Sequence, residues 1–276
     1  MPRRSIRDLL HVRPDGRAPA LAVDPADTRG LKRKLAEAEH LEDQVRLSQL
    51  QERLLAEARR SLLVVFQGMD ISGKDGAIRH LNGFLDPQGV RVLTFRPGPA
   101  EARGGFLDRV RRQLPAPGEA VICNRSYYEE LVLGWVREGL PEPAFRRRCR
   151  QVNRFEAALA ARGTTLVKLF LHISLQEQRR RLLVRLQDPA KRWRFDEASI
   201  LEPPEWDVYQ RAYAAILAHT STAIAPWYTV PANKRWYRNW AVTEIVIETL
   251  EEMNPRYPQP KLNVSRLMRR LRAGPG

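Results

Sequence analysis

The chain has 276 residues, 43% of them hydrophobic and 29% charged, which is the composition of an ordinary soluble protein with room for a sizeable core. It carries 47 Lys and Arg against 32 Asp and Glu, a formal net charge of +15. A basic excess of this size attracts polyanions, so the candidate partners are nucleic acid, an anionic membrane surface or a highly phosphorylated substrate.

The cysteines and the N-terminal residues indicate the cellular compartment in which the protein is expected. Cys123 and Cys149 stand in no metal-binding or redox spacing, which argues against a disulfide framework and fits a reducing cytoplasm. No apolar segment follows the early pair Arg3-Arg4, so no signal peptide is expected. The longest aliphatic runs are far shorter than a membrane span. We therefore expect a soluble, cytoplasmic protein.

In chain order, residues 1–29 show no sustained period and predict an extended arm. From Leu31 to about Arg60, apolar residues recur at helical spacing. Short apolar runs of strand length follow at Leu62–Phe66, Val90–Phe95, Ala120–Cys123, Leu166–Ile173 and Trp227–Val230. Segments of helical period separate them. This alternation predicts an α/β fold with βαβ units around a buried, mostly parallel sheet.

Local signals mark several helices and the domain limits. The capping box Ser174–Glu177 opens a helix that runs to about Leu186. Other helices are expected at about 144–162, before Gly163, and at about 205–218, after two prolines. The sequence from residue 255 onward is rich in Pro and Arg. We predict one domain over 30–254, with a basic C-terminal tail over 255–276.

The loop Gly68–Gly76 is the strongest motif in the chain. Strand Leu62–Phe66 leads into it, and helical residues follow it. A glycine loop between a strand and a helix N-terminus presents converging backbone N–H groups to a phosphate. Gly68 and Gly73 allow the close approach, and Lys74 can reach the terminal phosphates. This pattern predicts a P-loop phosphotransferase.

The loop departs from the common P-loop in two places. Asp75 stands where a Ser or Thr usually offers its hydroxyl to Mg²⁺, and Asp70 lies inside the loop. An acid among phosphates repels them unless a metal lies between, or unless it accepts a proton from the nucleophile. The alternative for Asp70 is a turn residue bonded to its own backbone.

Two further segments carry candidate phosphate ligands. Asn124 and Arg125 directly follow the strand Ala120–Cys123, and ligands of open α/β sheets bind beyond the carboxyl ends of strands. After the strand that ends at Ile173, a helix and the basic stretch behind it lie where P-loop kinases carry a mobile lid, here about 179–200. The alternative for its arginines is a solvated charge run.

Together these motifs resemble the family-2 polyphosphate kinases over roughly residues 30–252. The resemblance is carried by Phe66–Gly76, by Asn124–Glu129, by a third run that includes Phe170–Ser174, Arg181, Asp188-Pro189 and Trp193, and by Ala225–Tyr228 with Pro231-Ala232. It implies Mg²⁺- or Mn²⁺-dependent phosphoryl transfer between polyphosphate and nucleoside mono- or diphosphates. It also implies a three-layer P-loop kinase-like sandwich with a helical lid, assembled as a homodimer or homotetramer.

Carried over by position, the resemblance assigns roles to single residues. Asp70 would hold metal or activate the accepting phosphate. The other catalytic candidates are Lys74, Asn124, Arg125 and Arg185. Phosphate or nucleotide contacts are implied for Gly68, Met69, Ser72, Gly73, Asp75, Gly76, Arg79, Tyr128, Glu129, Arg181, Lys191, Arg192 and Trp193.

Asn124 departs from the family pattern, because many members carry Asp there. This leaves the second metal ligand open, with Glu129 as a candidate replacement. Asn124 with Tyr128-Glu129 is more similar to members that accept both AMP and ADP than to strictly diphosphate-using ones.

Two other functions remain open from the sequence. One is an ATP-dependent nucleoside monophosphate kinase of the thymidylate or adenylate type, which Asp70 and the basic excess disfavour. The other is a nucleic-acid-binding protein on a P-loop scaffold, which no recognised nucleic-acid motif supports. We therefore expect polyphosphate and adenine, or guanine, nucleotides as partners, and neither nucleic acid nor a membrane.

Overall fold

A computed structural model describes residues 5–14, 21–95, 106–201 and 203–273 of the chain. Its sheet has six strands, β1 (His11–Val12), β2 (Ser61–Gln67), β3 (Val90–Leu93), β4 (Ala120–Asn124), β5 (Thr164–His172) and β6 (Trp227–Pro231). The order across the sheet is β1-β6-β5-β2-β4-β3, and every neighbouring pair is parallel except β1 with β6. β2 therefore lies inside the sheet, between β5 and β4.

Ten helices occur in the described part of the chain. They are α1 (Ile6–Leu10), α2 (Arg33–Glu57), α3 (Lys74–Asn82), α4 (Phe106–Arg111), α5 (Glu129–Val136), α6 (Glu142–Ala160), α7 (Leu175–Gln187), α8 (Pro203–Thr220), α9 (Arg235–Met253) and α10 (Val264–Arg272). Within the described ranges no helix is both long and apolar enough to cross a membrane.

Helices cover both faces of the sheet because the inner strands are apolar on both sides. Along β2, Leu62, Val64 and Phe66 pack into one core with α2, α3 and α9. The alternate residues Leu63 and Val65 pack into a second core with α5, α6 and α8. Residues of a strand point alternately to the two faces, so a continuous apolar run requires two covering layers. The three-layer α/β fold with a mostly parallel sheet confirms the predicted fold class.

The prediction of an extended arm over 1–29 is wrong for the described part of that segment. Ser5 caps α1, whose Ile6 and Leu10 are buried, and β1 then pairs with β6 and forms one edge of the sheet. Glu248 of α9 accepts hydrogen bonds from the Ser5 hydroxyl at 2.6 Å and from the Ile6 N–H at 3.0 Å. A five-residue helix shows too little period to be read from sequence, and its anchor lies far along the chain.

The C-terminal segment likewise contains more structure than the predicted tail. After Asn254, the left-handed residue that ends α9, the chain runs without regular structure to Asn263. The Asn263 side chain accepts from the Arg266 N–H and caps α10. The segment is a linker followed by an amphipathic helix.

A buried ion pair joins β5 to the helices on one face. Lys168 and Glu156 lie 2.7 Å apart with side chains 0% and 1% exposed. Glu156 also accepts hydrogen bonds from the hydroxyls of Tyr127 and Tyr128, and Lys168 donates to the carbonyl of Thr220. Burial lowers the pKa of Lys168, while the carboxylate of Glu156 opposes that change. The network fixes the chain just beyond Arg125.

Lys168→Met is expected to lower the free energy of unfolding by about 3–5 kcal/mol, because it leaves the Glu156 carboxylate buried and unpaired. Urea unfolding followed by circular dichroism measures this change. The control is Arg146→Met, which breaks an exposed ion pair with Glu142 and should cost under about 1 kcal/mol. Equal losses for the two variants would contradict the prediction.

Candidate active site

The carboxyl ends of the parallel strands meet at one edge of the sheet and bring distant loops together. β2 leads into the loop before α3, β4 into Arg125, β5 into the start of α7, and β6 into Asn233 before α9. Ligands of open α/β sheets bind at this edge. The site is therefore formed by segments from the whole length of the domain.

The phosphate loop between β2 and α3 requires its glycines. Gly68 has φ +143°, and a Cβ there would lie 2.7 Å from the carbonyl oxygen of Leu171 on β5. Gly73, at φ +103°, starts α3, and a Cβ on it would clash with the guanidinium of Arg238. Ile71 takes φ +63°, an unusual conformation for a β-branched residue. Contacts from outside the loop must hold this backbone in place.

Two side chains of α7 provide those contacts. Gln178 donates to the Asp70 carbonyl at 3.1 Å, and Arg181 donates to the carbonyls of Ile71 and Ser72 at 3.2 and 2.9 Å. The remaining Arg181 donors reach Glu177, the carbonyl of Ala232 and, at 2.9 Å, that of Asn233.

Arg181 therefore holds the loop from behind. A guanidinium has five N–H donors, and those of Arg181 are all engaged by these groups. The side chain is 4% exposed, and burial lowers its pKa. The resemblance implied a phosphate contact for Arg181, but its donors are engaged by protein groups, so it adds charge to the wall of the site and has no hydrogen bond left for a phosphate.

Lys74 lies at the start of α3 with its ammonium buried. Its Nζ donates to the carbonyls of Gly68 at 2.6 Å and Met69 at 3.2 Å. Burial lowers its pKa, and the carboxylates of Asp70 and Glu129 oppose that effect. The cation thus lies under the loop with carboxylates nearby, positioned for phosphates that enter it.

Asp70 and Arg125 face each other across the site. Arg125 has φ +65°, and its guanidinium donates to one Asp70 carboxylate oxygen at 3.1 Å. The other carboxylate oxygen accepts from the Ser199 hydroxyl at 3.2 Å. The two charged side chains are 44% and 47% exposed, so both remain accessible to a ligand. The loop after β4 thus meets the acid inside the phosphate loop.

Asn124 and Asp75 form a second cross-link. The Asn124 amide donates to the Asp75 carboxylate at 2.8 Å, which ties the end of β4 to the first turn of α3. Glu129 lies deeper, where burial raises its pKa while the nearby Lys74 and Arg125 lower it. Asn124 and the candidate metal ligand Glu129 therefore both lie at the site, and Asn124 is hydrogen-bonded to Asp75.

A cleft of about 720 Å³ opens above the phosphate loop. Among the described residues, its walls carry the basic groups Lys74, Arg79, Arg125, Arg181, Arg185, Lys191, Arg194, Arg235 and Arg238, and the acids Asp70, Asp75 and Asp196. The basic groups outnumber the acids by three to one. Positive charge in a concave site concentrates anions and favours a ligand with several phosphates.

Arg238 is the main residue that sequence analysis missed. Its guanidinium lies against Gly73 and Gly76 beneath the cleft, and the residue is 4% exposed. It donates to the amide oxygen of Asn239 at 2.7 Å, and none of the described ion pairs gives it a carboxylate. Burial and the neighbouring Arg181 and Arg235 lower the pKa of Arg238 to about 9. A buried cation without a counter-ion favours an anionic ligand.

Arg235 lines the same cleft from the first turn of α9. The basic run Lys234-Arg235 with Arg238 was visible in the sequence. The sequence did not indicate that this run belongs to the phosphate site, because only the sheet topology brings the start of α9 to the phosphate loop.

The predicted lid, about 179–200, consists of two parts. Through Gln187 it is the helix α7, and beyond it two short 3₁₀ turns pass over the loop. From this segment Arg185, Lys191 and Arg194 line the cleft, and Arg185 donates to the Arg194 carbonyl at 3.1 Å.

Arg192 and Trp193 do not line the cleft, contrary to expectation. Arg192 donates to the Leu186 carbonyl at 2.6 Å, and Trp193 is 74% exposed. The 3₁₀ turn directs the next residue, Arg194, toward the loop instead. Sequence spacing alone could not identify which member of the run faces inward.

A smaller cavity of about 110 Å³ lies on the other side of the Asp70–Arg125 pair. It shares Asp70, Lys74, Arg125 and Ser199 with the cleft. Its remaining walls include the apolar and aromatic side chains Val132, Leu133, Leu201, Tyr209 and Tyr213, together with Gly68, Met69 and Glu129. Two spaces of different chemistry therefore meet at the same acid and the same two cations.

Two predicted ligands are buried away from the cleft. Tyr128 is 0% exposed, and its hydroxyl donates to Glu156 at 2.8 Å. The prediction that it binds nucleotide is therefore wrong, because the ring belongs to the core. Ser72 is also 0% exposed, and its hydroxyl has no hydrogen-bond partner among the described residues. It lies beneath the loop, near Gly68.

The residues present fit a divalent metal held together with a substrate. No cluster of three or more His, Cys, Asp or Glu side chains that could hold a metal occurs in the described ranges. Asp70 does present a half-exposed carboxylate to both cavities. A small hard cation such as Mg²⁺ takes one or two carboxylates and completes its shell with phosphates and water. Such a donor set matches Asp70, with Glu129 behind it.

Comparison with known proteins identifies the family of the chain. Residues 30–258 match the family model described as Polyphosphate kinase 2. The AMP/ADP-polyphosphate phosphotransferase of Meiothermus ruber is 46% identical over 254 residues, which cover 91% of this chain and 95% of the relative. The ADP-polyphosphate phosphotransferase of Rhodopseudomonas palustris is 39% identical over 78% of each chain.

The fold agrees as well. The crystal structure of Polyphosphate Kinase 2 from Arthrobacter aurescens TC1 superposes with a TM-score of 0.92 at 35% identity and covers 98% of both chains. Enzymes of this family use a divalent metal. With its phosphate loop, basic cleft and family match taken together, the chain belongs to the polyphosphate kinase 2 family and is a polyphosphate kinase.

Proposed function

We propose that the chain phosphorylates both AMP and ADP with inorganic polyphosphate as donor, using Mg²⁺ or Mn²⁺. The observation that carries this proposal is the cleft at the phosphate loop, whose cations outnumber its acids among the described residues. A linear polymer with a negative charge on every phosphate is the ligand that such a cleft suits. The names of the Meiothermus ruber and Rhodopseudomonas palustris relatives support the nucleotides.

The donor lies in the cleft in this proposal. Arg79, Arg235 and Arg238 bind the phosphates along it, and Arg185 with Arg194 covers them from the lid. Arginine suits this role because its planar fork binds phosphate oxygens in pairs. The terminal phosphate then lies at the loop, close to Lys74.

The acceptor enters from the smaller cavity. Its apolar and aromatic walls suit a nucleoside, and its shared wall at Asp70 and Arg125 brings the acceptor phosphate to the donor. An acceptor phosphate oxygen attacks the terminal phosphorus, a new P–O bond forms, and the bridging P–O bond to the polymer breaks. The shortened polyphosphate leaves with the electron pair.

Asp70 orients the acceptor from between the two cavities, and the guanidinium of Arg125 and the ammonium of Lys74 stabilise the phosphoryl group in transfer. Phosphoryl transfer depends mainly on positioning and on charge stabilisation of this kind. A divalent ion bound at Asp70 would neutralise phosphate charge. Closure of the segment with Ser199 excludes water, which would otherwise compete as the acceptor.

We further propose that the chain works in the cytoplasm as a homodimer or homotetramer. The free thiols Cys123 and Cys149 are both buried, which is compatible with a reducing compartment.

The direct test mixes purified protein with Mg²⁺, long-chain polyphosphate and either AMP or ADP, and follows ADP and ATP by ion-exchange chromatography. We expect product from both acceptors without ATP as donor. Omission of polyphosphate and chelation of the metal are the controls. Product from only one acceptor would refute the use of both AMP and ADP. Absence of product from both would refute polyphosphate as the phosphoryl donor.

Asp70→Asn should lower turnover by about 10²–10³-fold or more, because it removes the carboxylate that orients the acceptor and that would hold the divalent ion. The fold should be retained, since the side chain is half-exposed. Steady-state kinetics and thermal melting measure the two effects. Asp207→Asn, on the exposed side of α8, is the matched control and should behave as wild type. Near wild-type turnover of Asp70→Asn would show that the charge is not required.

Arg238→Met should separate stability from binding. Without ligand the variant should melt at the wild-type temperature or above it, because a buried cation without a carboxylate is removed. Its KM for polyphosphate should rise by about 10–100-fold, the value of one or two charged hydrogen bonds. Arg147→Met, an exposed arginine of α6, is the control. A lower melting temperature with unchanged KM would instead indicate a structural role.

A further inference from the structure

The helix α10 presents an apolar face that no residue in the described ranges covers. Val264, Leu267, Met268 and Leu271 recur at the spacing that forms one stripe on a helix. All residues from 256 to 273 are exposed, and Leu271 is 82% exposed. A stripe of this kind normally packs against another surface.

The charge of the C-terminal segment limits the kinds of surface that could cover the apolar stripe of α10. Residues 255–276 contain six basic residues and no acid. At roughly 100° per residue, Arg270 and Arg272 flank the apolar stripe on its two sides. Pairing with a second α10 is disfavoured by repulsion, as is contact with the basic cleft. The complementary surface is apolar with acids at its edge.

The described structure directs α10 away from its own body. The Arg256 N–H donates to the Glu57 carboxylate at 3.2 Å, at the end of α2. Pro255 is buried there, and the chain then leaves the body. The linker is therefore anchored while the helix it carries remains exposed.

A groove of the required chemistry lies between α2, α3 and α9. It has a volume of about 290 Å³ and is walled by the rings of His40, His80, Phe84, Trp236 and Trp240. His40, His80 and Phe84 pack with ring centroids 4.7–5.3 Å apart.

The acids Glu37 and Asp43 lie at the same groove. Thr243 lines it and is 1% exposed, and its hydroxyl has no hydrogen-bond partner among the described residues. Asp43 is buried, which raises its pKa, whereas Glu37 is exposed and paired with the exposed Arg33 at 2.7 Å. Aromatic walls with an acidic edge suit aliphatic and Met side chains flanked by arginines, through packing and cation–π contacts.

The exposed side of α2 extends this surface. Leu41 and Val45, four residues apart, are 72% and 56% exposed. They form a second apolar stripe beside the groove. One chain therefore carries the stripe of α10, which has arginines at its edges, and a groove with a neighbouring stripe on α2, which has acids at its edge.

We propose that α10 of one copy docks into the groove between α2 and α9 of a second copy, and that the second copy returns the same contact. A nine-residue helix makes a small interface, and two-fold symmetry doubles it. Leu267, Met268 and Leu271 enter the aromatic groove, with Arg270 or Arg272 near Glu37. The interface lies apart from the cleft, so each active site is complete within one chain.

The first experiment measures the molar mass of the full chain by light scattering, up to about 100 µM, well above the Kd of a stable interface. We expect a dimer or a larger even assembly. Leu267→Asp/Leu271→Asp should shift the mass toward half of the wild-type value at the same concentration. Leu262→Asp, an exposed leucine in the linker, is the matched control and should leave the mass unchanged.

The second experiment identifies the groove and separates exchange between copies from folding back within one chain. Glu37→Arg alone and Arg270→Glu/Arg272→Glu alone should each weaken assembly, because like charges then meet. An equimolar mixture of the two variants should assemble again. In the mixed dimer, one contact has the native charges and the other has both charges reversed.

Three outcomes would overturn the proposal. They are a monomeric wild-type chain, an unchanged mass for Leu267→Asp/Leu271→Asp, and failure of the mixture to restore assembly. Binding of the wild type to vesicles of anionic lipid, abolished by Leu267→Asp/Leu271→Asp while the mass stays that of a monomer, would assign α10 to a membrane instead. Turnover per chain should not change, so these results are independent of those that test the proposed donor and acceptors.

Discussion

The geometry of the active site depends on the contact between Arg181 and the backbone of the phosphate loop. The loop contains Ile71 in a left-handed conformation, which a β-branched residue does not adopt without external support. Arg181 binds the carbonyls on the outer side of the loop and, with the same guanidinium, the chain after β6. One buried side chain thus links β2, α7 and the approach to α9. The contacts of Arg181 use the carbonyls of the loop and none of its N–H groups.

A second constraint is that the site holds positive charge that the protein does not neutralise. Arg238 is buried beside Gly73 without a carboxylate among its described contacts, and Lys74 is bonded only to loop carbonyls. Such an arrangement costs stability in the free enzyme. The same charges bind phosphates strongly, since they are already desolvated and oriented. The cleft is therefore less stable without its ligand than a neutral site would be, and this difference favours binding of a polyanion.

Asp70 lies where the two cavities meet. An acid inside a phosphate loop is unfavourable unless another group compensates its charge. Here the guanidinium of Arg125 compensates it from across the site, and the backbone of Arg125 has a positive φ. The pair separates a basic cleft from a smaller, partly apolar cavity. This division suits a reaction whose donor is a mineral polymer and whose acceptor carries a base.

The sequence by itself determined the class of the protein. The apolar runs, the glycine loop and the residues after the fourth strand identified a parallel α/β sheet with a phosphate site at one edge, because these features are local. It also singled out Asp70 and Arg125, which the fold brings together at the cleft. Tertiary structure decided the roles of the long arginines. Arg181, expected over the phosphates, lies behind the loop, while Arg238, which carried no signal, lies beneath it. A helical arginine can extend to either side of its axis, and only the packing of α7 and α9 against the sheet edge determines which side faces the ligand.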